Sequence, residues 1–419
     1  MQGRMHRYTP GLVEKAENPL YIIEMKRLCK DVDITDRGLI SRAVYACLDK
    51  KYKRNDVVRY MSHVSGLKEN QIRYIYFRYG KRGMYPIVEL VITELQSEIV
   101  SESVSFPKIW YREKVDGSSG KVRRIGIQNV KQQLYDYIAV EGLKPVLKRI
   151  GEFQYASIKG RGTTKGKEII SHWVRNRDMR YFVKLDVRKC FESIDHDLLM
   201  RFLEKHIKNE KLIWLIKTLI GSFERGLSIG SYLSQYLCNL YMSILYHYIM
   251  EELYKTRRGK RVNLVRHCLI YMDDILMIGS QRRDMEKAVK QVIKKAEEIG
   301  FEIKPNYQLK TIDGNCIDMM GFKIYRTHTE IRGRISLRVR RSFRRARKRI
   351  TLRIAKKCVS YYGYLKHTDS KRIQRKWKVR SILRKCKGVI KNESKIYATA
   401  TSCQYRPVRQ QNLHFSLPE

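Results

Sequence analysis

Residues 264–278, Leu264-Val265-Arg266-His267-Cys268-Leu269-Ile270-Tyr271-Met272-Asp273-Asp274-Ile275-Leu276-Met277-Ile278, hold two short apolar runs with Met272-Asp273-Asp274 between them. Runs of this length read as strands, so the pair predicts a buried β-hairpin with two acids at its tip. Adjacent carboxylates in such a place repel each other and are poorly solvated. Their ionisation becomes tolerable when divalent cations share them.

A further acid lies upstream. Residues 181–187, Tyr181-Phe182-Val183-Lys184-Leu185-Asp186-Val187, form a β-rich run that reaches Asp186 near its end. Asp195 then caps a helix whose Leu198, Leu199, Phe202 and Leu203 recur on one face. Taken singly, a strand-terminal Asp serves as a cap and an Asp pair as turn chemistry. Placed together on neighbouring strands, Asp186 and Asp273 have the donor chemistry to hold two Mg²⁺ ions roughly 3.5–4 Å apart. Such a pair activates an attacking 3′-hydroxyl, steadies a pyrophosphate leaving group and bridges triphosphate oxygens.

These acids stand in a basic chain. Its 419 residues carry 87 Lys+Arg against 42 Asp+Glu, a net charge of +45. That excess repels itself in a compact state, which argues against an ordinary metabolic enzyme and for a polyanionic partner. Nucleic acid is the leading partner and an anionic membrane surface the lesser one. A hydrophobic content of 43% excludes wholesale disorder, and the length fits two to three structural units. Nine cysteines are scattered singly, without zinc-knuckle or redox spacing, which favours reduced thiols in the cytosol. The opening MQGRMHRYTP has no apolar run after its basic residues, and nothing approaches the ~20 apolar residues of a membrane span. The expectation is a cytoplasmic protein without membrane contact.

Composition divides the chain into three zones. Residues 1–105 place Ile40, Val44 and Leu48 on one helical face and Val88, Val91 and Leu95 on another, which reads as a helical N-terminal extension. Residues 106–330 alternate strand-like and helix-like segments. Within them 109–112 and 122–127 flank Asp116-Gly117-Ser118-Ser119-Gly120 as a β-hairpin, and the helix over 285–299 ends at Gly300. Residues 331–419 form a basic helical tail. Between Ile331 and Ser360 lie 13 Lys or Arg and no acid, interleaved with Leu337, Val339, Phe343, Ala346, Ile350 and Ile354. No neutralisation within that segment is available, so phosphate contact outweighs the reading as a solvated face.

Several stretches, in order, resemble one family. Tyr271-Met272-Asp273-Asp274 is similar to the Tyr-X-Asp-Asp motif of reverse transcriptases, and Leu185-Asp186-Val187 through Asp195-His196 to their first palm motif. Gly226-Leu227-Ser228-Ile229-Gly230-Ser231-Tyr232-Leu233-Ser234-Gln235 resembles the intervening Gly-X-X-X-Ser element, and Asp318-Met319-Met320-Gly321-Phe322 the hairpin that grips a primer terminus. The similarity runs from about Ile109 to Arg326. It implies an α+β right-hand polymerase, with fingers, an antiparallel palm sheet and a basic helical thumb.

The resemblance also implies roles. Asp186, Asp273 and Asp274 match the catalytic carboxylates; Asp186 and Asp273, with the Val187 carbonyl, match the ligands of two Mg²⁺, and Asp274 supports them. Phe191 matches an aromatic gate whose flat ring collides with a ribose 2′-hydroxyl; RNA-dependent RNA polymerases usually place an acid there. Lys114 and Arg123, on the strands flanking the 116–120 loop, match basic residues that clamp a triphosphate, although Lys114 reads equally as a solvated lysine. Gly230 and Gln235 fall beside the incoming nucleotide. Arg161, in Ser157-Ile158-Lys159-Gly160-Arg161-Gly162, is placed to reach a phosphate. Gly321 and Phe322, with Arg338, Arg341 and Arg345 of the tail, match nucleic-acid contacts. A lysine that protonates pyrophosphate is implied at Lys304 or Lys310, and the spacing does not choose. Tyr361, Tyr362, Tyr364 and Trp377 fit either base stacking or thumb core.

Departures refine the expectation. Ile229-Gly230 stands where most members have Gln-Gly, and Ser234-Gln235 where they have Ser-Pro. This form resembles the prokaryotic enzymes of diversity-generating retroelements and of phage defence. The implied reaction is cDNA synthesis from dNTPs on an RNA template with a DNA or RNA primer, assisted by a dedicated structured RNA. Two rivals stand beside it: a template-independent or protein-primed polymerase, which the 28 tyrosines permit, and a catalytically silent RNA-binding scaffold.

Overall fold

The computed structural model describes residues 27–115, 120 and 122–404, with side chains described as far as 393. Most of the expected hairpin loop at 116–120 and the opening MQGRMHRYTP therefore lie outside the described residues.

Four helices come first: α1 Arg37–Leu48, α2 Asn55–Ser65, α3 Glu69–Tyr79 and α4 Tyr85–Val100. Asp36 caps α1 by accepting the Leu39 amide, and Gly66 at φ 71° ends α2 in the left-handed region. The faces carrying Ile40, Val44, Leu48, Val88, Val91 and Leu95 are buried. They enter the same apolar core as the long helix that follows the first hairpin, so the N-terminal helices and the central region share one interior.

That hairpin pairs β1 Trp110–Val115 antiparallel with β2 Val122–Ile127. Then follow α5 Val130–Leu147, capped by Asn129, β3 Gln154–Tyr155, α6 Thr163–Arg175 and β4 Tyr181–Asp186. A short helix α7 Cys190–Ser193 leads to α8 His196–His206, capped by Asp195 as its position foretold. Next come α9 Glu210–Gly221, α10 Tyr232–His247 and the small hairpin β5 Tyr254–Arg257 with β6 Lys260–Asn263.

The quoted acidic stretch forms β7 His267–Tyr271 and β8 Asp274–Gly279, followed by α11 Arg282–Glu298 and β9 Lys310–Thr311. These strands build the central sheet, in the order β3-β7-β8-β4-β9. Every pairing is antiparallel except the two-residue β3–β7 contact, which is parallel. Both faces of the sheet are covered, which explains why β8 reads as continuous apolar sequence. Val183, Leu185, Ile275 and Met277 enter the main core, whereas Phe182, Leu276 and Ile278 enter a second cluster with Ile170, Trp173, Met319 and Phe322. Period-two alternation therefore puts Lys184, Asp186 and Asp274 on the face of the second cluster.

A three-stranded sheet, β10 Ile317–Met319, β11 Phe322–Ile324 and β12 Thr329–Ile331, passes the chain to α12 Gly333–Lys348, α13 Leu352–Lys366, α14 Lys371–Lys376 and α15 Val379–Gln404. The last four pack around their own cluster, with Val339, Phe343, Ala355, Cys358, Val379 and Leu383 buried. The molecule is thus α+β, with an antiparallel palm sheet, a fingers hairpin and a basic helical thumb. No helix among the described residues is long and apolar enough to cross a membrane.

Candidate active site

Register brings the three acids to one end of the sheet. β4 and β8 pair so that Asp186 lies directly opposite Asp274, while Tyr271 opposite Asp274 closes β7 onto β8 through a two-residue turn, Met272-Asp273. Met272 adopts φ 54°, the left-handed value that such tight hairpin turns require, at a position where a side chain is strained. The Val187 amide donates to the Asp273 carbonyl at 2.9 Å and fastens that turn to the end of β4. Asp186 and Asp273 are held side by side by backbone.

Beyond Asp186 the chain makes one more pairing. The Arg188 amide donates to the Glu302 carbonyl at 2.8 Å and the Lys304 amide to the Asp186 carbonyl at 2.9 Å, around an antiparallel bridge between Val187 and Ile303. This bridge does not engage the Val187 carbonyl. It also delivers the Lys304 side chain, whose Nζ donates to Asp186 Oδ1. Lys310 instead pairs with Phe182 at the other end of β4 and is exposed. Of the two candidate lysines, Lys304 is at the acids and Lys310 is not.

Each of the opposed carboxylates has a lysine. Lys184 Nζ lies 2.9 Å from Asp274 Oδ1. Burial, with help from the neighbouring Asp273 and Asp186 charges, still raises the Asp274 carboxyl above its ordinary range, and Lys184 opposes the rise. The Asp273 carboxylate, half-buried, has no hydrogen-bond or ion-pair partner among the described residues. No group of three His, Cys, Asp or Glu side chains among the described residues, the three acids included, is placed to hold a metal ion together. An open set of hard oxygens, two carboxylates and a free backbone carbonyl, is nonetheless what Mg²⁺ takes when substrate phosphates complete its shell. The residues fit that ion, and the ammonium groups of Lys304 and Lys184 stand where positive charge is wanted.

Phe191 stands on α7, half-buried and packed against the main core. Its carbonyl accepts the Leu227 amide at 2.7 Å, which seats the 226–231 loop against it. Gly226, at φ 52°, packs so closely that a Cβ would fall 2.5 Å from the Phe191 carbonyl oxygen. Gly230 makes the tightest approach in the loop: a Cβ there would stand 2.0 Å from the Gly126 oxygen of β2. A Cβ on Gly126 would in turn lie 2.3 Å from Ser228 Oγ. Two glycines facing each other dock the fingers hairpin onto the loop.

Lys114 and Arg123 are directly opposite across that hairpin, and both are exposed. Like charges so paired weaken a hairpin. Gln235, in the first turn of α10, accepts the Ser157 hydroxyl.

Other expected contacts are placed differently. Arg161 turns inward, donating from Nη1 to the Gly151 carbonyl at 2.7 Å, because the 156–161 turn folds back on itself through the Ala156 amide and Arg161 carbonyl. It is half-buried and its inward guanidinium nitrogen braces the chain. Phe322 is only 2% exposed and packs its ring 5.4 Å from that of Tyr364, so it supports the 319–322 turn from beneath and cannot present its ring to nucleic acid. Gly321, at φ 86°, forms the turn itself. Tyr361, Tyr362 and Trp377 pack against the thumb core, the second of the two roles open to them. On α12, Arg341 and Arg345 are exposed and Arg338 half-exposed, at helical spacing along one face. None of the three has an ion-pair partner among the described residues.

The sequence reading passed over three residues that matter here. Lys184 was signalled by alternation, two places before Asp186 on the same strand face. Gly126 and the buried Asp136 of α5 carry no such signal, since only long-range packing gives them their roles.

The reverse transcriptase (RNA-dependent DNA polymerase) family model matches residues 112–324, just over half of the chain. The chain belongs to this reverse transcriptase family. The matched segment runs from within the fingers hairpin to the end of β11, so it contains all three acids, Lys304 and the 226–231 loop. Helices α1–α4 and α12–α15 of this reverse transcriptase lie outside it. A curated relative, the putative COX1/OXI3 intron 1 protein of Saccharomyces cerevisiae, is 29% identical over 91 residues, which is 19% of this chain and 11% of that protein. The chain thus spans about a tenth of the curated relative it matches. Apo telomerase from Candida Tropicalis is similar in structure at a TM-score of 0.41 and 13% identity, covering 88% of this chain and 77% of that one. Its form truncated from the C-terminal domain gives 0.39 and 15%, covering 57% and 60%.

Proposed function

We propose that this chain is an RNA-directed DNA polymerase that extends a DNA or RNA primer with dNTPs on an RNA template. The observation that carries it is the backbone-fastened meeting of Asp186 and Asp273 at one sheet end, inside the segment that matches the family. Asp186, Asp273 and the Val187 carbonyl would hold two Mg²⁺, with Asp274 in support. Bound there, the ions supply a primer 3′-hydroxyl of lowered pKa and neutralise charge on the triphosphate.

The chain's own side chains supply the remainder. Lys114 and Arg123 grip the triphosphate from the fingers hairpin. Phe191 lies under the sugar and excludes a 2′-hydroxyl. Lys304 holds a proton at Nζ beside Asp186 and gives it to departing pyrophosphate. Gly230 and Gln235 border the nucleotide. The helical stripe of Arg338, Arg341 and Arg345 takes backbone phosphates of the primer–template.

In this reading residues 1–105 are an N-terminal extension, 106–330 fingers and palm, and 331–419 thumb and tail. We further infer that the enzyme works with a dedicated structured RNA, in antiphage defence or a retroelement of prokaryotic kind. The Ile229-Gly230 and Ser234-Gln235 forms and the +45 charge support that inference. The test is primer extension on a defined RNA with Mg²⁺ and separate dNTP and NTP pools, beside Asp273→Ala. Templated dNTP product that vanishes in the variant supports the reading. Product that persists in it, or NTP incorporation in its place, overturns it. If the defined RNA gives none, RNA co-purified from the host replaces it, and continued silence favours the scaffold.

A further inference from the structure

Behind the 226–231 loop lies a carboxyl that the reaction does not touch. Asp136, on α5, is 0% exposed. Its Oδ2 accepts the Ser231 hydroxyl at 2.7 Å and the Leu233 amide at 3.3 Å. Ser231 is the N-cap of α10, and its Oγ also accepts the Ser234 amide at 3.0 Å. One carboxyl thus holds both the cap of α10 and an amide that the helix itself leaves unpaired. The other oxygen, Oδ1, neighbours the Gln128 side chain, and neither it nor that amide has a hydrogen bond of good geometry.

An unpaired buried polar atom is costly, so the bonds that the Asp136 carboxyl does make carry weight. Burial pushes the Asp136 carboxyl up to about 6, while Ser231 and Gln128 pull it down. In its neutral form the acid has an O–H to give to Gln128.

The loop so anchored is the one that meets the nucleotide site twice. Leu227 bonds the Phe191 carbonyl, and Gly230 abuts Gly126 of the fingers hairpin, one strand position from Ile125 and three from Arg123. We propose that Asp136 is a positioning residue: through Ser231 and Leu233 it fixes the 226–231 loop, and with it the relative placement of the Phe191 ring and the fingers hairpin around an incoming dNTP. The proposal rests on the polymerase reading for its nucleotide, not for its clamp.

The experiment has two arms. In the first, single-nucleotide incorporation on an annealed primer–template is followed across dNTP concentration for the full chain and for Asp136→Ala, Asp136→Asn and Ser231→Ala. Asp136→Ala is expected to raise the dNTP KM about 10–100-fold, with kcat and primer–template affinity close to wild type. Asp136→Asn should stay near wild type, because its amide oxygen still accepts from Ser231 and Leu233 and its NH₂ faces Gln128. Ser231→Ala should move KM in the same direction, which keeps the question answerable if Asp136→Ala does not fold. An unchanged KM, an Asn variant as impaired as Ala, or a joint fall of KM performance, kcat and Tm overturns the proposal.

The second arm reads the clamp without catalysis. Hydrogen exchange should quicken at amides 227–233 in Asp136→Ala and stay unchanged in Asp136→Asn. Unchanged protection there sinks the clamp whatever the activity. The exchange response in Asp136→Ala, together with a wild-type chain that incorporates no nucleotide even on RNA co-purified from the host, sinks the polymerase reading and leaves the clamp standing.

Discussion

Asp186 and Asp274 stand directly opposite each other across β4 and β8, and each carboxylate carries its own lysine, Lys304 on the first and Lys184 on the second. Two acids so placed, with Asp273 beside them, form a site in which negative charge is concentrated and only partly answered. The fold tolerates this because backbone bonds, not side-chain attraction, hold the acids together.

That tolerance separates stability from activity. Asp273→Asn removes one of three mutually repelling carboxylates and leaves the turn backbone intact. It is expected to match or exceed wild type in thermal stability while losing at least about 10³-fold in incorporation rate, equivalent to about 4 kcal/mol of barrier. Thermal denaturation and single-turnover kinetics on the same preparation check it. A variant that loses stability in proportion to activity contradicts the account.

The two candidate lysines are distinguished by their neighbours. Lys304→Ala removes the group bonded to Asp186 and should lower kcat by about 10²–10⁴-fold, the usual span for a general acid. Lys310→Ala, exposed beside Phe182 at the other end of β4, should leave the rate close to wild type. The comparison needs only steady-state rates for the two variants; equal effects would count against the assignment.

Much of this site was legible because it is local. The two apolar runs around Met272-Asp273-Asp274 announce a hairpin, and the 181–187 run announces the partner strand. Alternation alone then places Lys184 with Asp186. What stayed hidden depends on pairings far apart in sequence. The 302–304 segment joins the sheet edge beside Asp186, and no spacing rule says that it must. Arg161 reads as a free cation until the turn that folds it onto Gly151 is known, and Phe322 as a surface ring until Tyr364 covers it. The N-terminal helices look separable in composition, yet their apolar faces close the same core as α5.

Phe191 offers a test of sugar selection. The Leu227 amide holds its backbone carbonyl, so shortening the side chain opens space without releasing the loop. Phe191→Ala is expected to raise incorporation of ribonucleotides relative to deoxynucleotides by about 10–100-fold, the range over which an apolar wall discriminates a hydroxyl. Competing rNTP and dNTP in single-nucleotide extension measures it directly. No change in the ratio would remove Phe191 from the role.

The thumb should reveal itself through salt. Arg338, Arg341 and Arg345 lack ion-pair partners among the described residues, so phosphates are their natural counter-charges. Each phosphate contact contributes about −0.7 to −0.9 to the slope of log K against log salt. Replacing all three with Ala should make the slope shallower by about two to three and weaken binding to different sequences alike. Titrations of primer–template at several salt concentrations test this, and an unaltered slope would place the duplex elsewhere.

Asp136 gives a stability measurement in which the sign can be worked out in advance. Its carboxyl is raised from 3.8 to about 6 in the fold, first by burial. The stability that the neutral acid contributes is therefore complete below pH 4, falls as pH rises toward 6 and is absent above. The difference amounts to about 3 kcal/mol. Its titratable neighbours do not confuse the window, because burial raises Cys47 and carries Tyr137 up to about 12. Asp136→Asn cannot ionise and so lacks this term. The stability of the Asn variant minus that of wild type should thus grow by about 3 kcal/mol between pH 4 and pH 8, while the many other titrating groups cancel in the subtraction. Denaturant melts of both proteins at the two pH values measure it. A difference that stays flat would mean the carboxyl ionises as freely inside the protein as outside, and its second oxygen is not the dry, unpaired atom described here.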